Sequence, residues 1–131
     1  TGSLVLGTLH THSCAAAVSR IIDVFAPRYQ NHIRSVLSIT LQGVIAQTLV
    51  KRRGIRGRVP VTEVLPGSSA LAQMIRDSKI PTTNAHLANS DPETHISRDE
   101  CLRQLYQKEL ISIETAVNLA RDPEKFQATP V

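Results

Sequence analysis

The feature that most constrains the fold is the apolar run Ser-Leu-Val-Leu-Gly-Thr-Leu at residues 3–9. A nearly continuous apolar run of this length is typical of a strand buried on both faces of a parallel sheet. Such a strand needs parallel neighbours that are joined to it by crossover connections. Because nothing before the run can supply a neighbour, the sequence predicts that these 131 residues are part of a larger domain.

The composition is that of a folded protein, with 41% hydrophobic and 20% charged residues, which argues against disorder. No apolar run approaches the roughly 18–20 residues that span a membrane, and no signal peptide opens the chain. The two cysteines, Cys14 and Cys101, lie too far apart in sequence to indicate a disulfide framework. A reducing, cytoplasmic setting is therefore predicted.

The hydrophobic spacing predicts an α/β first half and a small helical bundle after it. Helices are expected over 13–25, 29–41, 66–77, 83–90, 98–110 and 113–121. Segments 43–52 and 58–65 are rich in β-branched residues and flank the turn Arg-Gly-Ile-Arg-Gly, so they predict an antiparallel hairpin. Ser68 or Ser69 and Ser97 are expected to cap helices, and Glu100 would complete a capping box with Ser97. The tail from Pro123 to Val131 is expected to fray.

The residues expected to face the core recur at helical spacing. They are Ala15, Val18, Ile22 and Phe25 in the first helix, Ile33, Val36, Leu37 and Leu41 in the second, Leu71, Met74 and Ile75 in the third, and Leu102, Leu105 and Tyr106 further on.

The stretch Leu-His-Thr-His-Ser-Cys at 9–14 carries the densest chemistry in the chain. On an extended backbone His10, His12 and Cys14 share a face. Three interpretations follow: half of a metal site, a contact with phosphate, or packing alone. Further metal ligands would have to come from the remaining histidines and the second cysteine, namely His32, His86, His95 and Cys101. These form no second spaced pair, and no Cys-x-x-Cys occurs, so no metal site is predicted.

A nucleophilic role for Cys14 is also disfavoured, because no acidic residue is spaced to orient a histidine base. Neither of the two glycine-rich phosphate-binding patterns, G-x-x-x-x-G-K-[ST] and G-x-G-x-x-G, is present. The chain alone is therefore not expected to cradle a triphosphate.

The central turn is strongly basic. Its cations are Lys51, Arg52, Arg53, Arg56 and Arg58. They are interpreted as a solvated turn, with a nucleic-acid-binding module as an alternative. Two Phe, two Tyr and no Trp leave few platforms for base stacking, so no specific nucleic-acid partner is predicted. A salt titration of DNA binding would separate the two.

Together these segments resemble the C-terminal part of the type IV pilus twitching-motility ATPases (PilT-like) of the secretion ATPase superfamily. TGSLVLGTLHTHSCAAAVSRIIDVF at 1–25 resembles the family's entry into a core strand, its His box, and the Arg and Asp that follow. LQGVIAQTLVKR and GRVPVTEVL are similar to the family's hairpin. ALAQMIRD resembles the retraction helix Ala-Ile-Arg-Asn-Leu-Ile-Arg-Glu, and DECLRQLYQKELIS resembles the C-terminal helix. Ser3 departs from the family, which usually has histidine there.

The resemblance implies that residues 1–66 are the C-terminal part of a RecA-like P-loop ATPase core and that 67–131 form a helical subdomain. The Walker A, Asp-box and Walker B segments are expected upstream, so no ATP- or Mg-binding residues are assigned here. The parent would be a Mg-ATP-driven homohexamer that retracts pili with the inner-membrane pilus machinery, at the cytoplasmic face of that membrane. The chain alone is expected to be inactive.

The resemblance also implies roles for individual residues. His10 matches the His-box histidine that senses the terminal phosphate, and Arg20 matches the arginine of the same box. Residues of the retraction helix would couple the motor to the pilus. These are Ala70, Leu71, Met74, Ile75, Arg76 and Asp77. The resemblance assigns no role to His12.

One absence distinguishes the subfamilies. Secretion and pilus-extension ATPases commonly carry paired cysteines after the hairpin's first strand, and LVKRRGIRGRV contains none. Retraction is therefore favoured over the alternative of a secretion or extension ATPase. An interaction module without catalysis is a third possibility.

Overall fold

The computed structural model describes residues 2–88 and 94–127 and has a mixed α/β fold, as predicted. The helices are α1 (Cys14–Asp23), α2 (Pro27–Thr40), α3 (Ser69–Arg76), α4 (Thr83–Ala88), α5 (Arg98–Gln107), α6 (Ile113–Leu119) and α7 (Glu124–Gln127). The strands are β1 (Gly43–Lys51) and β2 (Arg58–Pro66), and a 3₁₀ turn covers Ile80–Thr82.

The predicted hairpin is confirmed. β1 and β2 pair antiparallel from Gly43 opposite Pro66 to Lys51 opposite Arg58. Gly54 and Gly57 have φ of 77° and 137° in the turn, a region that side-chain-bearing residues rarely adopt. The hairpin's other end is closed by Gly67, whose N–H donates to the Gln42 carbonyl at 2.8 Å.

Serine side chains begin four of the helices, since a hydroxyl can accept one of the free N–H groups of the first turn. In each case a backbone N–H donates to the serine hydroxyl at 3.1–3.2 Å. The donors are Ala16 to Ser13, Leu71 to Ser68, Glu100 to Ser97 and Thr115 to Ser112. The capping box at α5 is only half formed, because the Glu100 carboxylate contacts Arg103 and Gln104 instead.

The hairpin is shared by two hydrophobic clusters. The first cluster lies at the end of the hairpin where Gly43 pairs with Pro66, and it joins that end to α1, α3 and the 3₁₀ turn. Its buried members are Cys14, Ala15, Val18, Ile22, Ala46, Leu65, Leu71, Ile75 and Ile80. The second joins its turn end to α5, α6 and α7, and its buried members are Val50, Val61, Cys101, Leu102, Ile111, Ala116 and Phe126. Because one face of β1 and β2 serves both clusters, the hairpin holds the two groups of helices together.

Most residues predicted to face the core do so, and two do not. Phe25 is 40% exposed because α1 ends at Asp23, which takes Phe25 off the helical stripe. Val36 is also 40% exposed, whereas Ile33 and Leu37 of α2 pack on the first cluster.

The strand predicted over residues 3–9 is not formed. Residues 2–11 have no regular secondary structure, and Leu4, Val5 and Leu6 are 74–89% exposed. An extended segment becomes a strand only when another strand accepts its hydrogen bonds. Within the described residues the sheet consists of β1 and β2, which are paired to each other.

At the other end, the tail predicted to fray contains the short helix α7, whose Phe126 is buried. The parts of the predictions on residues 89–90 and 128–131 lie outside the described residues. No helix in the described ranges is long and apolar enough to cross a membrane.

Candidate functional site

His10 and His12 lie in the segment before α1, and both side chains are exposed. His10 belongs to the stretch without regular secondary structure, four residues before α1 begins. The carbonyl of His12 accepts a hydrogen bond from the guanidinium of Arg98 at the start of α5. The imidazole of His10 is therefore accessible, while the backbone just after it is tied to a distant helix.

Cys14 begins α1 and is fully buried, unlike the two histidines. Its thiol donates weakly to the carbonyls of Val44 and Glu63, at 3.4 and 3.5 Å. Burial, and secondarily the charge of Glu63, raises the pKa of the Cys14 thiol from its ordinary 9.0 to about 12. The thiol is therefore neutral at pH 7, which fits the sequence argument against a nucleophile.

His10, His12 and Cys14 do not converge with the other candidate metal ligands. Across residues 2–88 and 94–127, no group of three or more His, Cys, Asp or Glu side chains is arranged to hold a metal ion. Both cysteines are free thiols.

Arg20 lies in the last turn of α1 with an exposed side chain. A positive charge at this end of a helix interacts favourably with the partial negative charge of the C-terminus. No hydrogen bond or ion pair joins Arg20 to His10 in the described part of the chain. The two residues therefore present separate exposed donors, one before α1 and one at its end.

Glu63 is a further buried polar residue at this site, and it is not among the residues predicted from the sequence. It lies on β2, its side chain is 2% exposed, and its Oε1 accepts the Cys14 N–H at 2.8 Å. Its Oε2 lies 2.7 Å from Nη1 of Arg121. The signal was the alternation Val59, Val61, Glu63, Leu65, because residues two apart on a strand share a face.

The predicted retraction helix corresponds to α3. Its inner face is confirmed, with Leu71 2% and Ile75 1% exposed and Met74 partly buried against the first cluster. Ala70, in the first turn of the helix, is exposed.

The charged end of α3 lies next to α2. Arg76 is exposed, and its Nη1 is 3.4 Å from Oγ of Ser38 on α2. Asp77 follows the helix as its C-cap and lies 3.9 Å from the Lys79 ammonium in an exposed ion pair. This end of α3 therefore offers charge to solvent and to any neighbouring molecule.

Comparison with protein-family models gives no match. The chain is 40% identical over 126 residues to the type IV pilus retraction ATPase PilT of Pseudomonas aeruginosa, covering 96% of this chain and 36% of PilT. It is 38% identical over 126 residues to a twitching motility protein of Neisseria gonorrhoeae, covering 96% of this chain and 34% of that protein.

The fold agrees with these sequence matches. A crystal structure of the pilus retraction motor PilT with bound ADP superimposes with a TM-score of 0.81 and 33% identity, covering 98% of this chain and 36% of that one. The chain thus spans about a third of the length of each of these relatives. Nearly all of its sequence and fold is accounted for by this match, and the chain is homologous to a part of the PilT-like pilus retraction ATPases, as its sequence predicts.

Proposed function

We propose that the complete protein is an ATPase that powers the retraction of type IV pili. In this proposal it works as a homohexamer on Mg-ATP, together with the pilus machinery at the cytoplasmic face of the inner membrane. The observation that carries the proposal is the 40% identity to a retraction ATPase over 96% of the chain.

The hairpin supports retraction rather than extension or secretion. Residues 52–57, which connect β1 to β2, contain no cysteine. Both cysteines of the chain are buried in the two hydrophobic clusters instead. The paired cysteines that the resemblance associates with a zinc-binding insertion in secretion and extension ATPases are therefore missing from this turn.

His10 is the residue proposed to sense the terminal phosphate of ATP. Its exposed imidazole can donate a hydrogen bond to a phosphate oxygen, and loss of that contact after hydrolysis would change the position of the segment before α1. Arg20 is proposed as a second cationic contact, to phosphate or to a neighbouring subunit, because its guanidinium is exposed. Bound Mg-ATP would supply the bond that is cleaved, and these residues would read its charge.

The α3 helix is proposed to couple the motor to the pilus machinery. Leu71, Met74 and Ile75 would fix the helix on the domain, while Ala70, Arg76 and Asp77 would face the partner. The support is the division of this helix into a buried face and an exposed, charged end.

The function is tested with the complete protein, in which the nucleotide-binding segments are present. His10→Ala should lower kcat for ATP hydrolysis by about tenfold or more while leaving nucleotide affinity nearly unchanged, because most binding energy comes from elsewhere in the site. His12→Ala, two residues away, is the matched control and should be mild. Unchanged turnover of His10→Ala would contradict its role, and a wild-type protein without ATPase activity would contradict the proposed function.

A further inference from the structure

Glu63 carries a buried negative charge for which hydrophobic packing offers no reason. Its carboxylate lies between the two clusters, on the inward face of β2. A buried carboxylate is unfavourable unless both oxygens find partners. Here they do: Oε1 accepts the Cys14 N–H at 2.8 Å, and Oε2 is 2.7 Å from the Arg121 guanidinium. The second contact is an ion pair rather than a well-aligned hydrogen bond.

The Cys14 contact fixes the beginning of α1. The first four N–H groups of a helix have no partner within the helix, and their partial positive charge favours a carboxylate. Glu63 takes one of these groups, and the Ser13 hydroxyl takes that of Ala16 at 3.1 Å. A side chain 49 residues away thus sets where α1 starts.

The arginine partner of Glu63 is itself held in place. The Asp99 carboxylate accepts the backbone N–H groups of Arg121 and Asp122, at 2.9 and 3.0 Å. These bonds fix the chain just after α6, and the Arg121 side chain is only 26% exposed. The ion pair with Glu63 is therefore largely shielded from water, where electrostatic attraction is stronger than at an open surface.

Arg98 adds a second connection to the same segment. Its guanidinium donates to the His12 carbonyl, only two residues before the N–H that Glu63 accepts. Residues 12–14 are thus held from both sides by side chains of β2 and α5. We call Glu63, Arg98 and Arg121 the α1 anchor.

We propose that the α1 anchor positions His10 for the reaction, an inference that rests on the function proposed above. His10 lies two residues before the Arg98 contact, in a segment without regular secondary structure. Its distance from a nucleotide therefore depends on where residues 12–14 are held. In this view Glu63 and Arg121 are positioning residues, which act on the phosphate only through His10.

The test uses Glu63→Gln and Arg121→Gln in the complete protein, singly and together. Glutamine at 63 keeps an oxygen for the Cys14 N–H but removes the charge that faces Arg121. Each single variant should lower kcat by about tenfold with less than about threefold change in KM. The double variant should be no worse than either single one, because both changes break the same pair. Glu114→Gln, at an exposed glutamate of α6, is the matched control and should change neither.

A second readout does not depend on activity. Alkylation of Cys14, followed by mass spectrometry of its peptide, reports whether the beginning of α1 has loosened. Its rate should rise at least about fivefold in Arg121→Gln. Loss of the Arg121 charge would by itself raise the pKa of the Cys14 thiol and slow alkylation, so a faster rate reports exposure. The rate at Cys101, which lies in the second cluster, should not change. Arg121→Lys keeps a positive charge and should restore most of the lost kcat.

The outcomes separate this inference from the proposed function. If the wild-type protein hydrolyses ATP and both single variants have an unchanged kcat, the inference is overturned and the proposed function stands. A lower melting temperature without a change in kcat would assign the α1 anchor to stability alone and would also overturn it. A wild-type protein that hydrolyses no ATP would overturn the proposed function and, with it, the role of His10.

Discussion

Arg76→Ala tests whether α3 does more than pack. Arg76 and Ile75 are adjacent in sequence, but Ile75 is 1% exposed in the first cluster and Arg76 is exposed at the end of the helix. The two positions therefore form a matched pair. A substitution at Ile75 changes packing, and a substitution at Arg76 changes the surface.

The stability cost of Arg76→Ala should be small. The bond that is lost is long, 3.4 Å to the Ser38 hydroxyl, and Ser38 keeps its bond to the Ser35 carbonyl at 2.8 Å. No buried polar group is left without a partner. Loss of a favourable charge at the helix end costs about 0.3–1 kcal/mol, and the better helix propensity of alanine offsets part of it. The net change should be within about 0.5 kcal/mol.

Ile75→Ala should cost far more, about 2–5 kcal/mol, because it leaves a cavity in the first cluster. Melting temperature, ATP hydrolysis and pilus retraction are measured for both variants and for Arg76→Lys in the complete protein. Arg76→Ala should keep the melting temperature and ATP binding near normal and impair retraction, and Arg76→Lys should retain it.

Two results would refute this reasoning. Normal retraction by Arg76→Ala would leave α3 as a packing element. A loss of stability similar to that of Ile75→Ala would show that the Arg76 side chain is a structural contact and not a free surface group.

Three further predictions concern the chain itself. Residues 1–131 alone should not bind Mg-ATP, because they lack a glycine-rich phosphate cradle. Two cavities in the described residues, of about 150 and 140 Å³, are also smaller than a typical ligand pocket of roughly 300–1,000 Å³. Micromolar affinity by calorimetry would contradict this prediction. Stability should fall as the pH rises from about 9 toward 12, because the pKa of the Cys14 thiol is raised to about 12 in the folded chain and the unfolded thiol loses its proton first. In thermal melts, Cys14→Ala should weaken this pH dependence. An identical pH profile in the variant would show that other groups cause it. Met74→Asp should destabilise the folded chain by about 2 kcal/mol, because it places a carboxylate without a partner against the first cluster. An unchanged denaturation midpoint would mean that the new side chain turns outward to water.

The elements set by neighbouring residues could be predicted from the sequence. The hairpin follows from β-branched segments on either side of a glycine-containing turn, and Ser68 and Ser97 cap the helices where expected. The inner face of α3 follows from apolar residues at helical spacing. In each case the physical cause lies within a few residues of the element.

The elements that depend on distant partners could not be predicted. The apolar run at 3–9 indicates burial, but the neighbours that would make it a strand are not specified by the run itself. The same holds for Glu63, whose alternation shows an inward position but not that Arg121, 58 residues later in the chain, would meet its charge. The burial of Phe126 likewise depends on its packing in the second cluster.

The proposed roles of α3 and of the α1 anchor both depend on α1, because this helix contacts both of them. Its buried residues share the first cluster with Leu71 and Ile75 of α3, and its first N–H is held by Glu63, which pairs with Arg121 beyond α6. A change that unfolds α1 would therefore abolish retraction coupling and phosphate sensing together and would distinguish nothing. Arg76→Ala and Glu63→Gln avoid this difficulty, because neither replaces an apolar residue of α1. If Arg76→Ala impairs retraction but not hydrolysis while Glu63→Gln impairs hydrolysis, the two routes act separately on α1. Loss of hydrolysis in Arg76→Ala as well would mean that they act as one.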